Sequence, residues 1–165
     1  MERRIINMAE LEGVKCVVEL GPGTGGTTRA ILEAMPADAR LLTIEVDAEF
    51  TAILEQLGDP RLVAHTGSAE DLEAILKQYG LPSPDVVISG IPFSTMPRET
   101  ASGIIEAVRD ALPDNGRFLA YQFRGLVGRL GRPILGEFEF EFEPLNVPPM
   151  RFYLWRRRLD AVTAA

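Results

Sequence analysis

Alternating strand and helix patterns predict an α/β fold, a mostly parallel sheet closed by an antiparallel C-terminal hairpin. Three observations carry this reading. Short apolar runs recur between amphipathic segments, a glycine-rich turn at 21–25 ends the first run, and strict period-two alternation appears only near the C terminus.

Taken in order, 15–20 reads as a strand, 27–35 as a helix, 40–45 as a strand and 48–57 as a helix. A third strand at 62–66 and a helix at 69–79 repeat the unit. A fourth strand is expected at 85–89, a helix from about 98 to 112 opened by Pro97, and a fifth strand at 117–123. Five parallel strands follow from this winding. Residues 137–143 (Glu-Phe-Glu-Phe-Glu-Phe-Glu) and 151–157 (Arg-Phe-Tyr-Leu-Trp-Arg-Arg) then alternate at period two across a proline-rich turn, which predicts the hairpin. The glutamates are expected to lie opposite Arg151 and Arg157, with the phenylalanines facing the core.

A chain of 165 residues, 46% hydrophobic and 25% charged, fits one domain over 1–165 with a single site. The single cysteine, Cys16, falls inside the first strand, reads as a core residue and fits a reducing, cytoplasmic setting. No apolar run is long enough to cross a bilayer, and residues 1–7 lack the apolar stretch of a signal peptide. The net charge of −7 opposes non-specific attraction to nucleic acid, and no metal is called for.

The first strand runs through Glu19 and Leu20 into Gly21, Pro22, Gly23, Thr24 and Gly25, and the second ends on Glu45. Glycines let the backbone turn sharply and approach a ligand, while an acid at the end of the second strand can accept both hydroxyls of a ribose. This Rossmann-like pairing points to a nucleoside cofactor. Gly21, Gly23 and Gly26 also satisfy the dinucleotide pattern, so a nicotinamide cofactor is the competing reading. Glu19 separates the two: a carboxylate there repels a pyrophosphate but suits the ammonium and sulfonium of S-adenosyl-L-methionine (SAM).

These motifs resemble the class I SAM-dependent methyltransferases over nearly the whole chain. The resemblance implies that Glu19, Gly21, Pro22, Gly23, Thr24 and Gly25 bound the methionine part of SAM, and that Glu45, with Val46 beside it, holds the ribose. Gly67, Ser68, Ala69, Glu70 and Asp71 are similar to the family's segment near the adenine. Ser68 stands where aspartate is usual, which leaves Glu70 or Asp71 as the alternative acceptor; Ser89 ends the fourth strand beside the cofactor.

Two subfamilies share these features, ribosomal RNA adenine dimethyltransferases and phospholipid N-methyltransferases that act on phosphatidylethanolamine. The first carry an asparagine at the fourth strand's end to hold the adenine amine, with an aromatic ring stacking on the base. Here Gly90 replaces it in the run Ser89-Gly90-Ile91-Pro92-Phe93-Ser94-Thr95-Met96-Pro97, which resembles the phospholipid enzymes, as does Asn146-Val147-Pro148-Pro149-Met150-Arg151. The resemblance therefore implies a phospholipid amine acceptor. It places Gly90, Ile91, Pro92, Phe93, Asn146 and Arg151 at the substrate, with Arg151 suited to a lipid phosphate. An RNA adenine acceptor, or SAM binding without turnover, are the alternatives.

An alkyl amine attacks only when neutral, so a proton must leave first; His65, Tyr121, Tyr153 and water are the groups to consider. Tyr121 and Tyr153 are assigned to amine positioning, and Gln122 ends the fifth strand near the same pocket. Residues 124–135 carry three arginines, no acid and five large aliphatic residues, the mixture expected of a segment in peripheral contact with the inner face of a membrane.

Overall fold

In the computed structural model, which describes residues 1–158, β1 (Cys16–Leu20) is buried at every position, as a central parallel strand covered on both faces must be. β2 (Arg40–Glu45) and β4 (Val86–Ser89) flank it in parallel, β3 (Leu62–Thr66) lies beyond β2, and β5 (Arg117–Gln122) beyond β4. β6 (Glu139–Glu143) and β7 (Met150–Arg156) complete the sheet in the order β3-β2-β1-β4-β5-β7-β6. β7 runs antiparallel to both neighbours, so the predicted hairpin is present with its second strand inserted next to β5.

Alternate strand residues feed two cores. Leu41, Ile88 and Phe152 pack with Ile5 and Ile31 from α1 (Glu2–Ala9) and α2 (Gly26–Ala34) on one face. Leu42, Phe118 and Trp155 pack on the other face with α4 (Leu72–Gln78), α5 (Arg98–Ala111) and α6 (Leu126–Leu135). α3 (Ala48–Glu55) lies against β2 and β3, its N terminus capped by Asp47, which accepts from the Glu49 amide at 2.8 Å. The helix expected over 69–79 is divided: Ala69–Asp71 is a 3-10 turn, and α4 starts after it.

α1 was not evident from the sequence. Its last carbonyls, Ala9 and Glu10, accept from Arg117 at 3.1 and 3.0 Å, and its charged side reaches the hairpin. This changes the expected charge ladder. Glu139 pairs with Arg156 at 2.7 Å, and Glu141 and Glu143 both pair with Arg4 of α1 at 2.6 Å. Neither Arg151 nor Arg157 faces the glutamates. Arg151 is the register partner of Phe142, so alternation puts it on the other face, where its guanidinium lies 5.3 Å from the Phe142 ring centre. Arg157 lies past the strand and donates to the carbonyls of Arg109 and Leu112. Phe140 and Phe142 are 50% and 45% exposed, contrary to a core placement, because β6 is the edge strand and α6 covers only Phe138 beside it.

The segment 124–135, expected at a membrane surface, is mostly the helix α6 and packs in part on the sheet. Its glycines fit against aromatic rings of β7: a Cβ on Gly131 would lie 2.5 Å from Trp155, and one on Gly128 would lie 2.6 Å from Tyr153. Close approach explains why glycine is kept in a helix it weakens. Val127 and Leu130 are buried in this contact, so two of the aliphatic residues assigned to a membrane surface belong to the core.

Candidate active site

At the carboxyl end of β1 the chain turns through Gly21 and Gly23, both at positive φ (68° and 55°). A side chain on Gly21 would meet Ile91 at 2.9 Å, whereas nothing lies within 4 Å of a Cβ position on Gly23, which therefore faces open space. Glu19 sits beneath this turn, fully buried. One carboxylate oxygen accepts from the Thr28 hydroxyl at 2.6 Å, and the other, Oε1, has no hydrogen-bond partner among the described residues. Burial pushes the Glu19 carboxyl up to about 7; the Thr28 hydrogen bond opposes this and the charge of Glu45 adds to it. An unpartnered buried carboxylate oxygen is costly and is matched by a cationic ligand.

Glu45 ends β2 and is nearly buried. Its Oε2 accepts from the Gly23 amide at 3.1 Å, and Oε1 from the amides of Val46 and Asp47 at 2.9 and 3.3 Å. The carboxylate thus holds the glycine turn against β2 and keeps acceptor capacity on Oε2 for hydroxyl donors. A cavity of about 550 Å³ opens here, bounded by Gly21, Gly23, Glu45, Val46, Ser68 and Ala69, with Ile91 and Pro92 on the far wall. Asp47, Phe50, Thr100 and Ile104 also line it and were not singled out from the sequence. Phe50 falls three residues past the cap of α3, and only the fold shows that this turn faces the cavity.

Glu19, Pro22, Thr24, Gly25, Glu70 and Ser89 stand behind the lining. The Pro22 carbonyl accepts from the Gly25 amide at 3.1 Å, and the carbonyls of Thr24 and Gly25 accept from Arg29 at 3.3 and 3.2 Å, which fixes the entry to α2. Ser68 accepts from the Glu70 amide at 3.2 Å, and the Glu70 carboxylate lies against Gly103 of α5. Ser89 is fully buried, its hydroxyl accepting from the Ile91 amide at 3.3 Å.

A second cavity of about 500 Å³ adjoins the first and shares Pro92 and Thr95 with it. Gly90, Tyr121, Gln122, Phe123, Arg124 and Met150 contribute to its walls. Gln122 donates to the Ile91 carbonyl at 2.6 Å and so fixes the loop between the two cavities. The Tyr121 hydroxyl lies 3.3 Å from that of Thr27 and fills the space in front of Gly90. Burial first, then the nearby Glu19 charge, pushes the Tyr121 phenol up to about 12, so it is neutral at ordinary pH.

The two tyrosines are not brought together. Tyr121 pairs with Phe152 and Tyr153 with Ala120, so their side chains leave opposite faces of the sheet; Tyr153 lines a separate groove with Gly128 and Phe140. Phe93 is fully buried in the core and presents no ring to the second cavity. Asn146 lies in the β6–β7 turn, donating to the Pro148 carbonyl at 3.1 Å, and lines neither cavity. Arg151 donates to the carbonyl of Phe123, a wall residue. His65 pairs with the Tyr79 hydroxyl at 3.0 Å and lines neither cavity.

No family model matches the chain. It is 31% identical over 159 residues to the ornithine lipid N-methyltransferase of Singulisphaera acidiphila, a match covering 94% of this chain and 83% of that protein. It is also 32% identical over 94 residues to ribosomal RNA small subunit methyltransferase A of Phenylobacterium zucineum, covering 56% of this chain and only 31% of that relative. Among solved structures, the N-methyltransferase NodS of Bradyrhizobium japonicum in complex with S-adenosyl-L-homocysteine shares the fold, with a TM-score of 0.78 at 11% identity over 94% of this chain and 85% of that one.

Proposed function

Since the chain belongs to the family of the ornithine lipid N-methyltransferase, a family of SAM-dependent enzymes, we propose that it transfers methyl groups from SAM to the primary amine of a membrane-lipid headgroup. Phosphatidylethanolamine is the acceptor favoured by the run from Ser89 to Pro97, and ornithine lipid the one favoured by the 31% identical relative. The observation that carries the reading is the pair of adjoining cavities, one lined by the glycine turn and Glu45, the other by Tyr121, Phe123, Met150 and Arg124.

The residues of the first cavity fit SAM. The free Oε1 of Glu19 would answer its positive charge, Glu45 would accept from the ribose hydroxyls, and Val46, Phe50 and Ala69 would give the base apolar walls. Bound there, SAM supplies a methyl carbon activated by a positive sulfonium, so the protein's task is alignment. Pro92 and Thr95, held by the Gln122 contact to Ile91, separate donor from acceptor and fix the approach. An ammonium entering the second cavity loses water against Phe123, Pro92 and Met150, which lowers its proton affinity, so it releases its proton to solvent water before the lone pair attacks the methyl carbon. The Tyr121 phenol, neutral at working pH, orients that amine by hydrogen bonding and does not take its proton. Arg124 and Arg151 supply guanidinium groups for an anionic headgroup oxygen beside it.

An adenine acceptor is the weaker reading. Gly90 offers no amide to the base, the Phe93 ring is enclosed, and the net charge is −7. The test is transfer of labelled methyl from SAM to vesicles of phosphatidylethanolamine, vesicles containing ornithine lipid, and total RNA in parallel. Label in a lipid extract is expected; label confined to RNA overturns the proposal.

A further inference from the structure

The connection between β6 and β7, residues 144–149, reads Pro-Leu-Asn-Val-Pro-Pro and carries no charge. Leu145 is 88% exposed and Val147 94% exposed, at a loop tip where polar residues are the rule. The tip is also placed with purpose. β7 enters the sheet antiparallel to β5 with Gln122 opposite Arg151, so the turn projects from the sheet edge that carries the glycine turn, Glu45 and Gly90. Met150, directly after it, is a wall of the acceptor cavity, as is Phe123, itself half-exposed.

Two cations stand at this edge. Arg124 follows the end of β5 and Arg151 lies opposite Gln122, while the acid next to the turn in sequence, Glu143, is paired with Arg4 at 2.6 Å. Among the described residues, Arg124 and Arg151 form no ion pair, unlike Arg4, Arg132 and Arg156. Exposed aliphatic side chains with unpaired arginines at their base match an anionic lipid interface, apolar groups entering the acyl boundary and guanidinium groups meeting phosphate. α6 offers less, because Val127 and Leu130 are buried in the core and Arg132 is engaged by Glu137 at 3.0 Å.

We infer that residues 144–149, with Phe123, form an interfacial anchor. Leu145 and Val147 insert into an anionic bilayer while Arg124 and Arg151 sit at the phosphate level, so the acceptor cavity opens directly onto the headgroups. The inference rests on the lipid-amine reading for its purpose, but its test needs no turnover.

The test is co-sedimentation of the full chain with phosphatidylcholine vesicles containing phosphatidylglycerol, neither of which offers a primary amine. Leu145→Asp with Val147→Asp is expected to weaken binding about tenfold or more and to leave SAM affinity unchanged, since both side chains stand in solvent. Arg129→Gln with Arg132→Gln is expected to change it far less. The inference is overturned by wild type that does not sediment, by a tip variant that binds as wild type does, or by loss confined to the α6 variant. Intact vesicle binding without methyl transfer to any amine lipid would sink the acceptor assignment and leave the anchor standing.

Discussion

The hydroxyl of Tyr121 occupies the volume that a side chain on residue 90 would need: a Cβ there would lie 2.8 Å from the ring carbon bearing it. Glycine at 90 and tyrosine at 121 are one arrangement. The amide that adenine chemistry needs has no room, and a phenol takes its place. Gly90→Ala should therefore destabilise the fold by about 1–3 kcal/mol through overpacking and lower methyl transfer. Adding Tyr121→Phe, which removes the oxygen nearest that methyl, should recover part of the lost thermal stability. An unchanged melting temperature in Gly90→Ala would show that the ring yields freely.

Glu19 gives the protein a pH dependence of definite sign. The folded carboxyl keeps its proton up to about 7, whereas an ordinary glutamate releases it near 4.5. Between those values the folded chain binds more protons than the unfolded one, so this contribution is complete below about 4.5 and lost as pH rises to about 7. The loss is on the order of 3 kcal/mol without ligand. Melting curves over this window should fall for wild type relative to Glu19→Gln, and SAM affinity should rise as the carboxylate forms. Parallel curves for the two proteins would contradict the assignment.

Glu45 accepts from the Gly23 amide at 3.1 Å, and the proposed SAM site would use the same carboxylate for the ribose. Glu45→Ala should weaken SAM binding by about 1–3 kcal/mol, measured by calorimetry. Unchanged affinity would mean that the ribose is held elsewhere.

The packing of α6 is testable through the single tryptophan. Gly131→Ala would place a methyl 2.5 Å from Trp155 and should cost about 1–3 kcal/mol, with a shift in tryptophan emission as the helix moves off the sheet. Wild-type emission and stability would show that the helix accommodates the methyl.

What could be read from the sequence follows from how local each signal is. The buried strands are largely apolar runs such as 86–89, and the glycine turn with Glu19 and Glu45 lies within thirty residues, so the sheet and the glycine turn beside the first cavity were legible. The helix α6 was not, because Gly128 and Gly131 argue against a helix locally and are explained only by the rings of Tyr153 and Trp155 across the core. The second cavity draws its walls from the end of β5 and the start of β7, so its composition depends on their register. That same register separates Tyr121 from Tyr153, which sequence alone had grouped, and turns Arg151 away from the glutamates.

The most direct test of the central claim is mass spectrometry of lipid extracts from a bacterial host that contains phosphatidylethanolamine and ornithine lipid but no methylated forms of either, expressing this chain. N-methylated headgroups with the wild-type chain, and none with Glu45→Ala, are predicted. Unmodified lipids from a wild-type chain that binds SAM when purified would contradict the account.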